Sequence, residues 1–305
     1  MKSTFAVAAD QLSLLAYLLL AVVSIWWAGS YLLIKIAVVG VPPATLATAR
    51  LVIAATVLLA WLRLTDARSV PADLGSWARH GQVALFGHAL PLYLIAWASI
   101  SVPVSEMAIL VATTPLFAML FAHLVRREWP SRGTTFGLLM GFVGLAAFLG
   151  HSVMSTLHSS SSAAPLLALL GAAASYALSG RAVARLQDAN ALVTGTAVMI
   201  CAVPMLLPLS LAFERPWTIA PTAQALAALL LLGVMSTALV YVVYYRLIKL
   251  SGPTFASMHH YIVPVLSIAL GAVFSGERLD LGQMMLMTPI VASIFMARGL
   301  ISRKL

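Results

Sequence analysis

The chain is a succession of long apolar runs separated by short breaks that carry proline, glycine or serine. Ten runs can be marked, near 12–35, 42–62, 78–98, 104–125, 132–150, 163–184, 191–212, 222–246, 254–275 and 281–300. Runs of about 20 apolar residues match a helix that crosses the hydrocarbon core of a bilayer. Closed membrane barrels alternate apolar and polar positions, and these runs do not, so the spans are predicted to be helices. The expected fold class is an all-α membrane protein with ten transmembrane helices. The first run is too long for a signal peptide and lacks a small-x-small cleavage site, so it reads as a retained first helix. The serine run at 159–162 reads as a flexible link between 1–150 and 151–305, each with five spans.

The two parts echo each other. Residues 111–129, VATTPLFAMLFAHLVRREW, hold Pro115 and end near Glu128; residues 260–278, HYIVPVLSIALGAVFSGER, hold Pro264 and Glu277. Each proline–glutamate pair is 13 residues apart, and the two copies are offset by 149. The same offset relates Gly150 to Gly299, and Trp27-Ala28-Gly29-Ser30 to Tyr176-Ala177-Leu178-Ser179. One offset held over so long a stretch indicates an internal duplication.

Composition sharpens this picture. The 305 residues are 62% hydrophobic and 9% charged, with a mean hydropathy of +1.00. A soluble domain carries roughly 25% charged residues, so this chain cannot coat a water-facing surface. The net charge of +9 would suit nucleic acid if it were clustered. Instead fourteen Lys and Arg fall in the loops on the side of the amino terminus and three on the other, with Arg50 inside a span. That asymmetry places both termini in the cytoplasm and makes the charge topological; no nucleic-acid partner is expected. With five spans per part, the second copy must enter the membrane from the opposite side, which makes two inverted five-helix repeats. Such repeats characterise secondary transporters with a midplane site. The single Cys201 lies in a span and forms no disulfide framework.

Aromatic residues recur at helical spacing. Tyr241, Tyr244 and Tyr245 share a face of the eighth span, Trp27 and Tyr31 one of the first with Ser30 beside them, Tyr93 and Trp97 one of the third, and Tyr176 and Ser179 one of the sixth. In the ninth, Ser257, His260, Tyr261 and Pro264 fall together, with His259 about 100° away. These are the spans that inverted symmetry would gather around a central cavity. Amphipathic aromatics there suit an uncharged aromatic or apolar group. The alternative is an interfacial belt, the reading adopted for Trp61, Trp77, Trp129 and Trp217 and open for Trp97, Tyr244 and Tyr245. Arg50 lies ~12 Å deep at 1.5 Å per residue. It is either functional or structural, capping carbonyls at helix ends or snorkelling to an interface. Glu106, near the outer end of the fourth span, is either a coupling or charge partner or a complement to its helix dipole. His88, His123, His259 and His260 are the titrating groups within spans, with His88 and His260 the cavity candidates. Glu128 and Glu277 read as caps. Pro115 and Pro264 are candidate hinges or static kinks.

Ten helices, five-plus-five inverted repeats and the Pro-x12-Glu endings resemble the drug/metabolite transporter superfamily, in its EamA-like ten-helix form. Trp26-Trp27-Ala28-Gly29-Ser30-Tyr31, Pro42-Pro43, Ala49-Arg50 and Ser275-Gly276-Glu277-Arg278 support it, while Arg127-Glu128 departs from the Gly-Glu ending. Within the superfamily the aromatic faces are similar to those of YddG-type exporters. The resemblance implies a multi-pass carrier of the inner membrane that exports aromatic and other apolar amino acids by alternating access. A multidrug or lipid-linked extruder on the same scaffold is the alternative. No cofactor or metal is expected, and no enzyme motif such as HExxH, a P-loop or a nucleophile elbow is present. The expected partners are the lipid bilayer and a small-molecule substrate, with the chain acting as a monomer.

The loop charges make one firm prediction. In a Cys201→Ala background, a cysteine placed within 159–162 should react with an impermeant thiol reagent on intact cells. Labelling only after lysis would reverse the orientation.

Overall fold

The computed structural model describes residues 2–65, 73–126, 163–183, 190–256 and 259–276, with isolated positions at 136, 140, 143, 144, 147, 186, 285 and 288. All regular secondary structure among the described residues is helical. The helices are α1 (Lys2–Ala37), α2 (Pro43–Leu64), α3 (Leu74–Ala98), α4 (Val104–Val111), α5 (Thr114–Arg126), α6 (Ala164–Val183), α7 (Ala191–Glu214), α8 (residues 223–256) and α9 (His259–Phe274). Among the described residues five helices, α1, α2, α3, α7 and α8, are long and apolar enough to cross a membrane. Shorter apolar helices fill the fourth, sixth and ninth predicted spans. The fifth and tenth predicted spans, the serine link, Glu128, Glu277, Gly150 and Gly299 lie outside the described residues, apart from isolated positions.

Two boundaries differ from the hydropathy reading. The fourth span is not one helix, because Ala112 and Thr113 separate α4 from α5. Pro115, expected in mid-helix, sits in the first turn of α5. Its ring nitrogen has no hydrogen to give the Val111 carbonyl, and the Thr114 hydroxyl donates there instead at 2.7 Å. Thr113 does the same for the Leu110 carbonyl at 2.6 Å. Pro264, by contrast, lies inside an unbroken α9. At the other boundary α8 continues past 246 through Ser251-Gly252-Pro253 to Ala256.

Helices α2 and α7 pack against each other. Helix α1 lies against α8 and α9, while α6 lies against α3, α4 and α5; α2 also touches α8, as α7 touches α3. Under the 149-residue offset each of these contacts maps onto another of the set, α2–α7 onto itself. The buried apolar residues form two main clusters, one drawn mainly from α1, α3, α4, α6 and α8 with Val263 of α9, the other mainly from α2, α3, α7 and α8. Lipid tails give apolar helices little reason to associate, so close packing must do it. Gly233 shows how close: a Cβ there would fall 2.6 Å from Ile53 Cγ2 on α2.

The repeat extends to an irregularity. Helix α3 widens into a π turn at Leu85–Ala89 and α8 into another at Val234–Leu239, starting 149 residues apart. In the first, the Leu90 amide donates to Leu85 rather than Phe86, and the next residue, Pro91, has no N–H. The stranded Phe86 carbonyl accepts from Ser175 Oγ on α6 at 2.8 Å. In the second, the Val240 amide donates to Met235 and Thr237 and leaves the Ser236 carbonyl, which accepts from Arg50 Nη2 on α2 at 3.2 Å. A carbonyl at membrane depth needs a partner within the protein, and in both turns a neighbouring helix supplies one.

The helix ends are tied across the fold as well. Pro42, at the N-cap of α2, has no side-chain donor or acceptor, and the Glu214 carboxylate from the end of α7 accepts from the Ala44 and Thr45 amides at 2.9 and 2.6 Å. The Thr45 and Ser210 hydroxyls are 2.9 Å apart beside it. A carboxylate on the first amides of a helix satisfies orphan donors and the positive end of the helix dipole. Lys35 Nζ donates to the Ser99 and Val102 carbonyls at 2.8 and 3.0 Å, closing the end of α3.

Removing the Glu214 cap by Glu214→Ala should cost about 1–2 kcal/mol, as loss of an N-cap does. A lower melting temperature of the purified protein in detergent would show it, with Glu214→Gln intermediate. An unchanged melting temperature would mean that the cap is dispensable.

Candidate functional site

Helices α1, α2, α3, α6, α8 and α9, with the α4–α5 break, enclose a cavity of about 400 Å³. That is within the usual range for a small-molecule site, about 300–1,000 Å³. Neither half of the chain can form it alone.

Trp27 is the hub of its aromatic wall. The ring lies 5.3 Å from Tyr241, 5.0 Å from Tyr244 and 4.5 Å from His259, centroid to centroid, in tilted or edge-on geometry. Such arrangements set the positive edge of one ring against the face of the next. His88 stands edge-on to Tyr241 at 4.2 Å, and Tyr245 completes the row 6.1 Å from Tyr241. Tyr31, Tyr176, Ser30 and Ser179 line the remainder, with Pro264 and His260 at the α9 side.

The polar groups are few. Ser30 Oγ donates to the Trp27 carbonyl at 2.7 Å. Tyr241 Oη donates to the Gly87 carbonyl at 3.4 Å, another carbonyl deprived by Pro91 of its helical donor. Tyr245 Oη lies 3.5 Å from His88 Nε2, while His88 Nδ1 is buried without a hydrogen-bond partner. His259 Nδ1 donates to the Ala256 carbonyl at 2.8 Å, leaving Nε2 as its acceptor. Arg50 is 4% exposed and lines the wall, with Nε donating to Thr237 Oγ1. Among the described residues no carboxylate lines the cavity and no group of three metal-ligating side chains occurs.

Of the residues singled out in the sequence, Trp27, Ser30, Tyr31, Arg50, His88, Tyr176, Ser179, Tyr241, Tyr244, Tyr245, His260 and Pro264 line this cavity. Tyr93 and Trp97 do not. On α3 the lining positions are Gly87, His88, Leu92 and Ile95, so the face expected for Tyr93 and Trp97 is turned away. Tyr93 packs into the cluster of α2, α7 and α8, and Trp97 is 36% exposed. Glu106 sits in the first turn of α4 and Pro115 in that of α5, and neither lines the cavity. The side chains of Tyr261 and His123 lie outside the description, as does Ser257. His259, expected on a different face from His260, lines the wall beside it with ring centroids 4.0 Å apart. It is the first residue of α9 and bonds back to the end of α8, so its position does not follow the helical wheel. The π-turn residues Gly87 and Thr237 were not anticipated; Pro91, four residues past Gly87 in an apolar run, was the available signal.

Known proteins resemble this one along nearly their whole length. An uncharacterized transporter of Archaeoglobus fulgidus is 26% identical over 269 residues, 87% of this chain and 90% of that protein. The uncharacterized inner membrane transporter YedA of Escherichia coli K12 is 26% identical over 263 residues, 83% of this chain and 81% of its own. A protein of known crystal structure superposes with a TM-score of 0.65 at 18% identity, covering 95% of this chain and 98% of that one, which shows a shared fold. The sequence pattern of one family matches twice, at residues 14–150 and 163–299, two segments that begin and end 149 residues apart. The chain belongs to the EamA-like transporter family.

Proposed function

We propose that the protein is a secondary transporter of the inner membrane that exports aromatic and other apolar amino acids by alternating access between two inverted five-helix halves, residues 1–150 and 151–305. The observation that carries this reading is the aromatic cavity shared by both halves. Its rings offer a largely apolar space of about 400 Å³ with hydroxyl and imidazole groups in its wall. Membership in the family supports a carrier, and YedA is by its name an inner membrane transporter. The contacts that recur after 149 residues support halves that exchange roles, as inverted repeats do when a carrier turns from one face to the other. The buried positive charge of Arg50 opposes cationic drugs as cargo.

Proteoliposomes holding the purified protein should take up labelled phenylalanine or tryptophan, and the flux should persist without a pH difference. Trp27→Ala should cut it by about tenfold, since the variant loses two or more ring contacts. Uptake of sugars in preference to amino acids would refute the reading.

The prolines give a second test. Pro115 stands at a helix break and Pro264 in a continuous helix, where it leaves the His260 carbonyl without its amide donor. If both serve as hinges, Pro115→Ala and Pro264→Ala should slow turnover and bias cavity cysteines toward opposite faces. Wild-type rates with unchanged accessibility in both variants would reduce the prolines to shape.

A further inference from the structure

We infer that Arg50 is the anchor for a carboxylate in the cavity, and that the cargo is a singly charged aromatic or apolar acid whose amino group, where it has one, is not read as a charge. This rests on the cavity being the transport site.

The guanidinium is built into place by neutral groups alone. Nε donates to Thr237 Oγ1, and the Thr237 hydroxyl spends its own hydrogen on the Leu232 carbonyl at 2.7 Å. The threonine oxygen therefore faces Arg50 strictly as an acceptor. Nη2 donates to the Ser236 carbonyl set loose by the π turn. Both partners lie in one turn of α8, so the planar fork is held at two corners. The third nitrogen, Nη1, has no partner among the described residues, although the side chain is 4% exposed and lies on the cavity wall.

A guanidinium stays protonated, and its five N–H groups are all donors. Bonds to a hydroxyl and a carbonyl satisfy some of those donors but leave the full charge, which is expensive to keep at membrane depth. A ligand carboxylate supplies both the missing charge and the missing acceptor, in the planar geometry that the guanidinium matches best. An ammonium group finds no such complement, because no carboxylate lines the cavity among the described residues. It would instead share a small space with a like charge. Aromatic edges and faces from Trp27 and Tyr244 then receive the apolar end of the same ligand. A 2-oxo or 2-hydroxy acid, or a simple arylalkanoate, meets this pattern as well as the amino acid does.

Calorimetric binding to the purified full-length protein in lipid nanodiscs separates the parts. The probes are L-phenylalanine, 3-phenylpropionate, which lacks the amine, and 2-phenylethylamine, which lacks the acid. The two acids should bind within about threefold of each other and the amine more than about tenfold more weakly, the size of a charge-assisted contact. Arg50→Gln should weaken both acids by at least about tenfold, and Thr237→Val, which keeps the charge but frees the fork, by less. Should Arg50→Gln fail to fold, the wild-type panel decides alone. Amine binding as tight as the acids, or acid binding that survives Arg50→Gln in a protein with an unchanged melting temperature, would overturn the assignment. Binding of phenylalanine without phenylpropionate sinks this inference and spares the amino-acid reading; the reverse spares this inference and sinks that reading. If no probe binds, both fall.

Discussion

A peptide carbonyl surrounded by hydrocarbon must find a donor inside the protein, and much of this architecture follows from that requirement. The helical ladder is interrupted at Phe86, Val111 and Ser236, and a side chain donates at each: Ser175, Thr114 and Arg50. Two of these repairs reach between the halves, α6 to α3 and α2 to α8. The interruptions are therefore where the parts of the fold are joined. They also lie beside the cavity: Gly87 and His88 of the first π turn and Val111 line it, and the second π turn holds Arg50 on its wall. Irregular backbone at this depth is tolerated only when protein or a cavity surrounds it, and here both do.

The spans within the described residues, the duplication and most of the aromatic wall could be read from the residues, because hydropathy and a period of 3.6 are properties of the chain itself. The limits were also physical. A helical wheel says which residues share a face, not which face a cavity takes. Tyr93 and Trp97 share one face of α3, but the face that lines the cavity is that of His88, Leu92 and Ile95, at spacing i, i+4, i+7, two of which are plain aliphatics. Arg50 was visible as a buried charge, but its acceptors were not, since one is a carbonyl made available only by backbone geometry. Nothing in the sequence marks Glu214 as a cap, because its partners are amides 170 and 169 residues away. The Thr113-Thr114 pair before Pro115 was the clue to the break in the fourth span, as threonines that can cover the carbonyls a proline strands.

The two copies have kept their scaffold and diverged in their contents. Both π turns persist, yet the turn of α3 carries His88 at the position where that of α8 carries Thr237. Trp27 corresponds to Tyr176, and Arg50 to Met199. Backbone irregularity is thus the retained part of the duplication, and side-chain chemistry the variable one.

This divergence has a kinetic consequence. Two identical halves that exchanged roles would give inward-facing and outward-facing states of equal energy, each meeting the ligand with the same surface. With Arg50 and Trp27 in one half only, the two states of the proposed exchange would not be mirror copies, and ligand would meet different groups on each side of the membrane. Affinity would then differ between the faces, and over a full cycle the facial preferences of the empty and the loaded carrier would have to differ by the same amount. Under the proposed mechanism the carrier would therefore saturate at different substrate concentrations in its two directions.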